Sequence, residues 1–193
     1  RGRYAYDNQA HVIVWNMAQL ATALVPLMPD LDEAIEDFTA LVHAMPDQIE
    51  VEWRRAFGRK IGLAEATAQD APLIADLLAR MAEGRADFTN TFRGLIDGTA
   101  RDQFLDRATF DTWEPLWRAR IAQEADPEAV MRAANPAFIP RNHRVEQMIE
   151  AAVAGDYAPF ERLLDVLARP YIDQPDAADL KRPPTPSEVV ENT

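Results

Sequence analysis

The sequence predicts an all-α protein, and three observations lead there. Apolar residues recur at spacings near 3.6 along most of the 193 residues. Sustained period-two alternation is absent, and Asp97-Gly98 falls between helical stretches rather than between two apolar strands. Prolines and capping residues also punctuate the chain where helices would start and stop.

The elements follow in order. From Asn8 to Leu24, Ile13, Val14, Met17, Leu20, Ala21 and Leu24 keep helical spacing, with Trp15 beside them, and Pro26 and Pro29 end the run. The face is broad, so this helix is expected to be largely buried. Asp30 opens a second helix as its cap, with Glu33 at the capping-box position and Leu31, Ile35, Phe38, Leu41 and Val42 as its stripe. Asp30, Asp32, Glu33, Glu36 and Asp37 read as a solvated first turn. Pro46 is expected to interrupt the pattern, and Ile49, Trp53, Phe57 and Ile61 continue it in a third helix that Gly62 stops. A fourth runs from Asp70 to Met81, with Gly84 after it. Phe88, Phe92, Leu95 and Ile96 mark a short fifth.

Trp113, Leu116, Trp117 and Ile121 place a sixth helix between Asp111 and Gln123. Asp126-Pro127 is a cap followed by proline at the first helical position, which starts another. Then comes Asn135-Pro136-Ala137-Phe138-Ile139-Pro140-Arg141-Asn142-His143. Pro136 and Pro140 bar helix there and push their neighbours toward extended geometry, yet the segment holds Phe138, Ile139 and Arg141, groups that dock. An ordered crossing between helices is expected. Val145, Met148, Ile149 and Val153 form the next helix, ended by Gly155. Phe160, Leu163, Leu164 and Leu167 form the last, stopped by Pro170. Residues 1–170 thus read as a single helical domain, and 171–193, with Pro170, Pro175, Pro183, Pro184 and Pro186 in or beside it, as an extended tail packed on a surface or disordered.

Composition narrows the function. A hydrophobic content of 48% supports a packed core. A net charge of −12, with Lys and Arg scattered among carboxylates, argues against nucleic acid and against an anionic membrane surface. No apolar run reaches spanning length by inspection, so a non-membrane setting is expected. Cysteine is absent, which removes thiolate chemistry and Cys-type zinc sites from this stretch. The chain opens on Arg1 without a signal pattern and reads as an internal piece of a longer polypeptide.

Local chemistry is sparse. The histidines are His11, His43 and His143, with no His-x-x-x-His pair. His143 and Glu146 lie three apart and could share a metal, but a capping or surface histidine is the favoured reading. Asp102 with Asp106, and Glu161 with Asp165, are like-charge neighbours without catalytic weight. The glycines stand alone, so no Gly-rich loop cradles a phosphate, and serine occurs only at Ser187. Trp15, Trp53, Trp113 and Trp117 are expected in the core. Arg118 and Arg120 are expected to pair with carboxylates, and Arg141 to anchor the crossing. No catalytic, cofactor-binding or metal-binding residue is assigned.

Four segments resemble, in order, the C-terminal part of the selenoprotein O family, the YdiU-like proteins. Gly2-Arg3-Tyr4-Ala5-Tyr6-Asp7-Asn8-Gln9 with Trp15-Asn16 is similar to its GRYxYxNQP…WN signature, with Ala10 in place of proline. Asp87-Phe88-Thr89…Phe92-Arg93 resembles its DFT…FR segment. Asn135-Pro136…Ile139-Pro140-Arg141-Asn142-His143 with Val145-Glu146 resembles NPxxIPRNHxVE, and Gly155-Asp156-Tyr157…Pro159-Phe160 resembles GDYxPF. The family's cysteine or selenocysteine motif near the C-terminus is not found here.

The resemblance implies the helical C-terminal portion of a protein-kinase-like large lobe plus a family-specific extension. It further implies a pseudokinase that transfers AMP from ATP, with Mg²⁺, to Ser, Thr or Tyr hydroxyls of protein substrates in the bacterial cytoplasm. The catalytic and nucleotide-binding segments of that family precede the GRY signature. The expected partner is therefore the missing N-terminal part of the same protein. Gly2, Arg3, Tyr4, Asn8, Trp15, Asn16, Asn135, Pro136, Pro140, Arg141, Asn142 and Glu146 are structural motif positions on this reading. The alternative is a non-catalytic acidic helical module for a basic partner.

Overall fold

The computed structural model describes residues 8–189. Among these, the chain forms nine α-helices joined by 3-10 turns, with no strand. By its internal contacts it divides into two compact units, residues 1–55 and 56–193. The second unit runs on past Pro170.

The first unit holds α1 (Gln9–Leu24), a 3-10 turn at Val25–Leu27, and most of α2 (Leu31–Lys60). Asp30 caps α2, its Oδ1 accepting from the backbone N–H groups of Asp32 and Glu33 at 3.0 and 3.1 Å. Two expectations change here. Pro46 does not end the helix: α2 continues through it for 30 residues. The least exposed positions, Ala34, Phe38, Val42, Met45, Ile49, Trp53 and Phe57, stay in phase across the proline. Burying that one stripe outweighs the backbone bond that Pro46 cannot donate, a loss of about 3 kcal/mol. Nor is α1 buried. Its partly covered residues are small ones, Ala10, Val12, Val14, Ala18 and Ala21, while Ile13, Trp15, Met17, Leu20 and Leu24 face outward. Trp15, at 53% exposure, is thus no core residue of the described chain. The apolar stretch Gln9–Leu27 also meets the length and mean hydropathy (1.3) of a membrane-spanning helix, contrary to the expectation from inspection.

The second unit contains the end of α2, then α3 (Ala71–Glu83), α4 (Phe88–Asp97), α5 (Arg107–Asp111), α6 (Glu114–Ile121), α7 (Pro127–Ala134), α8 (Asn142–Val153) and α9 (Ala158–Leu167). Gly62, at φ +95°, turns the chain out of α2 in the left-handed region that favours glycine. The sixth helix expected between Asp111 and Gln123 is α6, and a short α5 that the spacing does not predict precedes it. Asp106 caps α5, accepting from the Ala108 N–H, and Pro115, which has no N–H to donate, sits in the first turn of α6.

The core of this unit is aromatic. Phe104, Phe110, Trp113 and Trp117 form a chain of ring contacts, with Trp113 and Trp117 stacked at 5.5 Å. Both indoles are satisfied: Trp113 donates to the Leu73 carbonyl at 3.0 Å and Trp117 to the Ile61 carbonyl at 2.7 Å. Arg118 pairs with Glu114, and Arg120 with Asp70 and Glu124. A second cluster joins Ala137, Phe138, Leu163, Val166, Ala177 and Leu180. The segment after Pro170 is therefore not merely laid on a surface. Its 3-10 turn at Pro175–Lys181 inserts Ala177 and Leu180, three apart, among the helices.

Candidate functional site

The crossing from Asn135 to Arg141 gathers the densest polar network of the second unit, and its geometry grows from three helix ends. At the end of α2, Lys60 Nζ donates to the Ala134 carbonyl and to Asn135 Oδ1, both at 3.3 Å. Asn135 answers with its own amide: Nδ2 donates to the Lys60 carbonyl at 2.8 Å and to the Phe92 carbonyl at 3.4 Å. Asn135 is fully buried. One side chain thus ties the last residue of α2 to the middle of α4. An aspartate would have no amide to give, and a leucine would take one partner each from two carbonyls and an ammonium. Lys60 also lies 5.7 and 5.3 Å from the ring centroids of Phe88 and Phe92, which pack with Phe57. Burial lowers its pKa from the ordinary lysine value.

At the start of α4, Asp87 is the N-cap, accepting from the Asn90 N–H at 2.8 Å. Its carboxylate also receives a two-pronged contact from Arg141, Nη1 to Oδ2 at 2.8 Å and Nη2 to Oδ1 at 3.0 Å. Arg141 Nη2 reaches Asn90 Oδ1 at 3.1 Å as well. Burial pushes the Asp87 carboxyl upward, but the Arg141 guanidinium and the Asn90 N–H overcome it, and the net shift is below the usual carboxylate range. Arg93, in the same helix, donates to the Asn135 carbonyl at 3.1 Å and pairs with Asp173. Asp173 in turn takes Lys181 at 2.8 Å. Finally, the backbone N–H groups of Ala137 and Phe138 share the Pro170 carbonyl at 2.7 and 3.1 Å. The struts of the crossing run to the end of α2, to the start and middle of α4, and to the turn at Pro170, so it acts as a clamp.

The structure places the other motif positions as follows. Gly2, Arg3 and Tyr4 lie outside the described residues. Asn8 is the N-cap of α1, and Trp15 and Asn16 are exposed on that helix. Asn135, Pro136, Pro140, Arg141 and Asn142 come together in the clamp, with Glu146 exposed one turn into α8. Lys60, Asp87, Arg93 and Asp173 belong to the clamp and were not singled out as site residues by sequence. Of these, only Asp87 has a local signal, an Asp-x-x-Asn cap ahead of an apolar helix.

No three His, Cys, Asp or Glu side chains among the described residues are grouped to hold a metal ion. In the first unit, a cleft of about 370 Å³ opens between α1 and α2, lined mainly by Ala18, Ala21, Val25, Phe38, Val42 and His43. It is mostly apolar, with Thr22, Thr39 and His43 as its polar lining. What the arrangement does chemically is position backbone: it ties helix ends together.

The profile of the family described as protein adenylyltransferase SelO matches residues 1–168 of the chain. Curated relatives from Ruegeria sp. strain TM1040, Ruegeria pomeroyi and Roseobacter denitrificans, each named protein nucleotidyltransferase YdiU, are 58% identical to it over 192 residues. These alignments cover 100% of this chain but only 40 to 41% of each relative. The chain spans about two fifths of the length of the curated relatives it matches.

Proposed function

This chain belongs to the SelO family of protein nucleotidyltransferases, and from that premise we propose that it is the helical scaffold of a kinase-like enzyme that adenylylates proteins. In the reaction a Ser, Thr or Tyr hydroxyl oxygen of a protein substrate bonds to the α-phosphorus of ATP. The bond from that phosphorus to pyrophosphate breaks, and the hydroxyl proton is lost. ATP and Mg²⁺ do not fit the described residues, which offer neither a grouped metal-ligand set nor a glycine-rich loop. No step is therefore assigned to these side chains. The remaining three fifths of the protein holds the nucleotide, and the described helices keep its supports in place. Positioning of this kind is worth many kcal/mol in group transfer without any contact to the nucleotide.

The observation that supports the reading best is the outer face of α1. Ile13, Met17, Leu20 and Leu24 form one helical stripe and are 37 to 47% exposed. A stripe that covers nothing within its own unit calls for a partner. The rest of the same polypeptide is that partner on this reading. Its length suits, Asn16 and Gln19 interrupt the stripe's neighbourhood as a protein contact tolerates, and covering each aliphatic side chain contributes about 1.5–3 kcal/mol. On the same reading α1 packs against protein and not against lipid.

The test is transfer of label. Full-length protein with Mg²⁺ and ATP labelled at the α-phosphate should become labelled, or label other proteins, while ATP labelled at the γ-phosphate should leave no mark. Label from the γ-position would make the protein a kinase. Label from neither would favour the non-catalytic interaction module.

A further inference from the structure

We propose that the segment from Arg182 to Val189 is an acid-released strap over the start of α8, lifted when His143 takes up a proton. The device is independent of the transfer reaction. His143 lies in the first turn of α8 and is 3% exposed. With Glu146 it lines one groove together with Ser187, Glu188 and Val189 of the strap. Gln147 Nε2 ties α8 to the strap, donating to Glu188 Oε1 at 3.2 Å. Within the strap, Arg182 holds the Glu188 carboxylate through two contacts of 2.7 Å, and the Thr185 N–H donates to the same carboxylate at 2.8 Å.

The surroundings of the imidazole disfavour a further positive charge. Three guanidiniums face it, those of Arg141 and Arg144 from beside it in the chain and that of Arg182 from the strap. Asp87 neutralises Arg141, and Glu188 neutralises Arg182. Arg144 has no carboxylate partner among the described residues: it donates to Gln147 Oε1 at 2.9 Å and to the Asp179 carbonyl at 2.8 Å, while the Asp179 carboxylate is held by Arg162. The positive end of α8 adds to the same field. An imidazolium donates from both nitrogens, yet Nε2 is buried and has no acceptor. Opposing these, Glu188 faces the ring, and Glu146 and Glu150 stand exposed on α8. Glu188 is committed to Arg182 and Thr185, and water screens the exposed pair. Burial first, then the charge of Arg144, hold His143 below its ordinary pKa.

With the strap closed, the ring stays neutral. With the strap lifted, the ring meets water and regains the ordinary histidine pKa of about 6.5. Below that value the lifted form binds a proton that the closed form refuses. Closure is therefore fully favoured above it and weakens as pH falls toward the lowered pKa of the closed form. One proton limits the effect: between pH 7.5 and 5.5 the lifted fraction rises by up to about 10-fold. Glu188 does not compete in this window, because Arg182 and the Thr185 N–H hold its carboxyl well below the usual carboxylate range. Lifting also undoes the strap's own order. Its 3-10 turn, Pro186–Glu188, is three residues long, and so short a turn does not hold by itself in water.

The experiment follows hydrogen exchange of the Thr185 and Glu188 amides in full-length protein from pH 7.5 to 5.5, corrected for the intrinsic exchange rate. Both amides are hydrogen-bonded in the strap. Their protection should fall several-fold, toward the ~10-fold limit of one proton. In His143→Gln, which has no proton to take up in this window, protection should be flat. A second arm measures the His143 pKa by NMR of ring-labelled histidine in wild type and in Glu188→Ala. Loss of a neighbouring carboxylate alone would lower that pKa further. Loss of the strap's hold should instead raise it toward 6.5, because strap closure and proton binding oppose each other reciprocally. Protection that is independent of pH or rises on acidification, or an equal fall in His143→Gln, would overturn the proposal. So would a His143 pKa that stays or drops in Glu188→Ala.

Discussion

Replacing Arg141 should loosen the clamp in a way that can be calculated beforehand. Arg141 is 8% exposed and makes three contacts, two to Asp87 and one to Asn90. Arg141→Ala removes them and leaves the half-buried Asp87 carboxylate without its counter-charge. Breaking a fully buried pair costs about 3–5 kcal/mol. Asp87 retains some access to water and its Asn90 N–H contact, so about 3 kcal/mol is the reasoned value here. Arg141→Lys keeps the charge but loses the fork, and about 1–2 kcal/mol is expected. Hydrogen exchange of the full-length protein reads both. For Arg141→Ala, amides in α4 and the crossing should exchange on the order of 100-fold faster, since each factor of ten is about 1.4 kcal/mol. Amides around Trp113 and Trp117 should change less. The pH response supplies a second check. Asp87 has a folded pKa below its unfolded value, so its contribution is present above the unfolded aspartate pKa and is lost as pH falls through the folded one. Wild type should therefore lose α4 protection on acidification below about pH 4, and Arg141→Ala should show a flatter acid limb. A change under ~0.5 kcal/mol for both variants, or an undiminished acid limb in Arg141→Ala, would refute the reasoning.

Other substitutions probe neighbouring claims. Asn135→Leu should destabilise the second unit by about 2–4 kcal/mol in urea unfolding, because the Lys60 and Phe92 carbonyls and the Lys60 ammonium all lose a partner. Gly94→Ala should cost about 1–3 kcal/mol in the same assay. Its new Cβ would stand 2.5 Å from the Ala100 backbone nitrogen, and backbone cannot swing aside. Trp117→Phe should cost about 2 kcal/mol in thermal unfolding by orphaning the Ile61 carbonyl. Met17→Ser/Leu20→Ser, on the face of α1 exposed here, should lower the unfolding free energy of full-length protein by about 3 kcal/mol on the proposal that the rest of the polypeptide covers it. No change would leave α1 uncovered.

The parts of this fold that sequence reveals are those set by near neighbours. The cap at Asp30, the start at Asp126-Pro127 and the stripe from Ile49 to Phe57 all follow from spacing within a turn or two. Pro46 misleads because a local penalty is weighed without the stripe it interrupts, and that stripe continues in phase on both sides. The face of α1 was legible as apolar, but periodicity gives an apolar face without saying what covers it. The crossing was legible as ordered from Pro136, Pro140 and Arg141. Its partners were not. Asp87 and Arg141 are 54 residues apart, and Lys60 and Asn135 are 75 apart. Such pairs leave no local trace, since any of the chain's carboxylates could have met any of its arginines. The seat of the tail was not legible for the converse reason: its prolines dominate the composition, while two apolar side chains, Ala177 and Leu180, reach the core.

The central claim is that these helices brace a reaction centre built by another part of the polypeptide. Photoaffinity labelling of full-length protein with an azido-ATP and Mg²⁺, followed by peptide mapping, tests it most directly. The account predicts that the labelled peptides lie wholly outside the 193 residues described by this sequence. A labelled side chain between Arg1 and Thr193, protected by excess ATP, would contradict it.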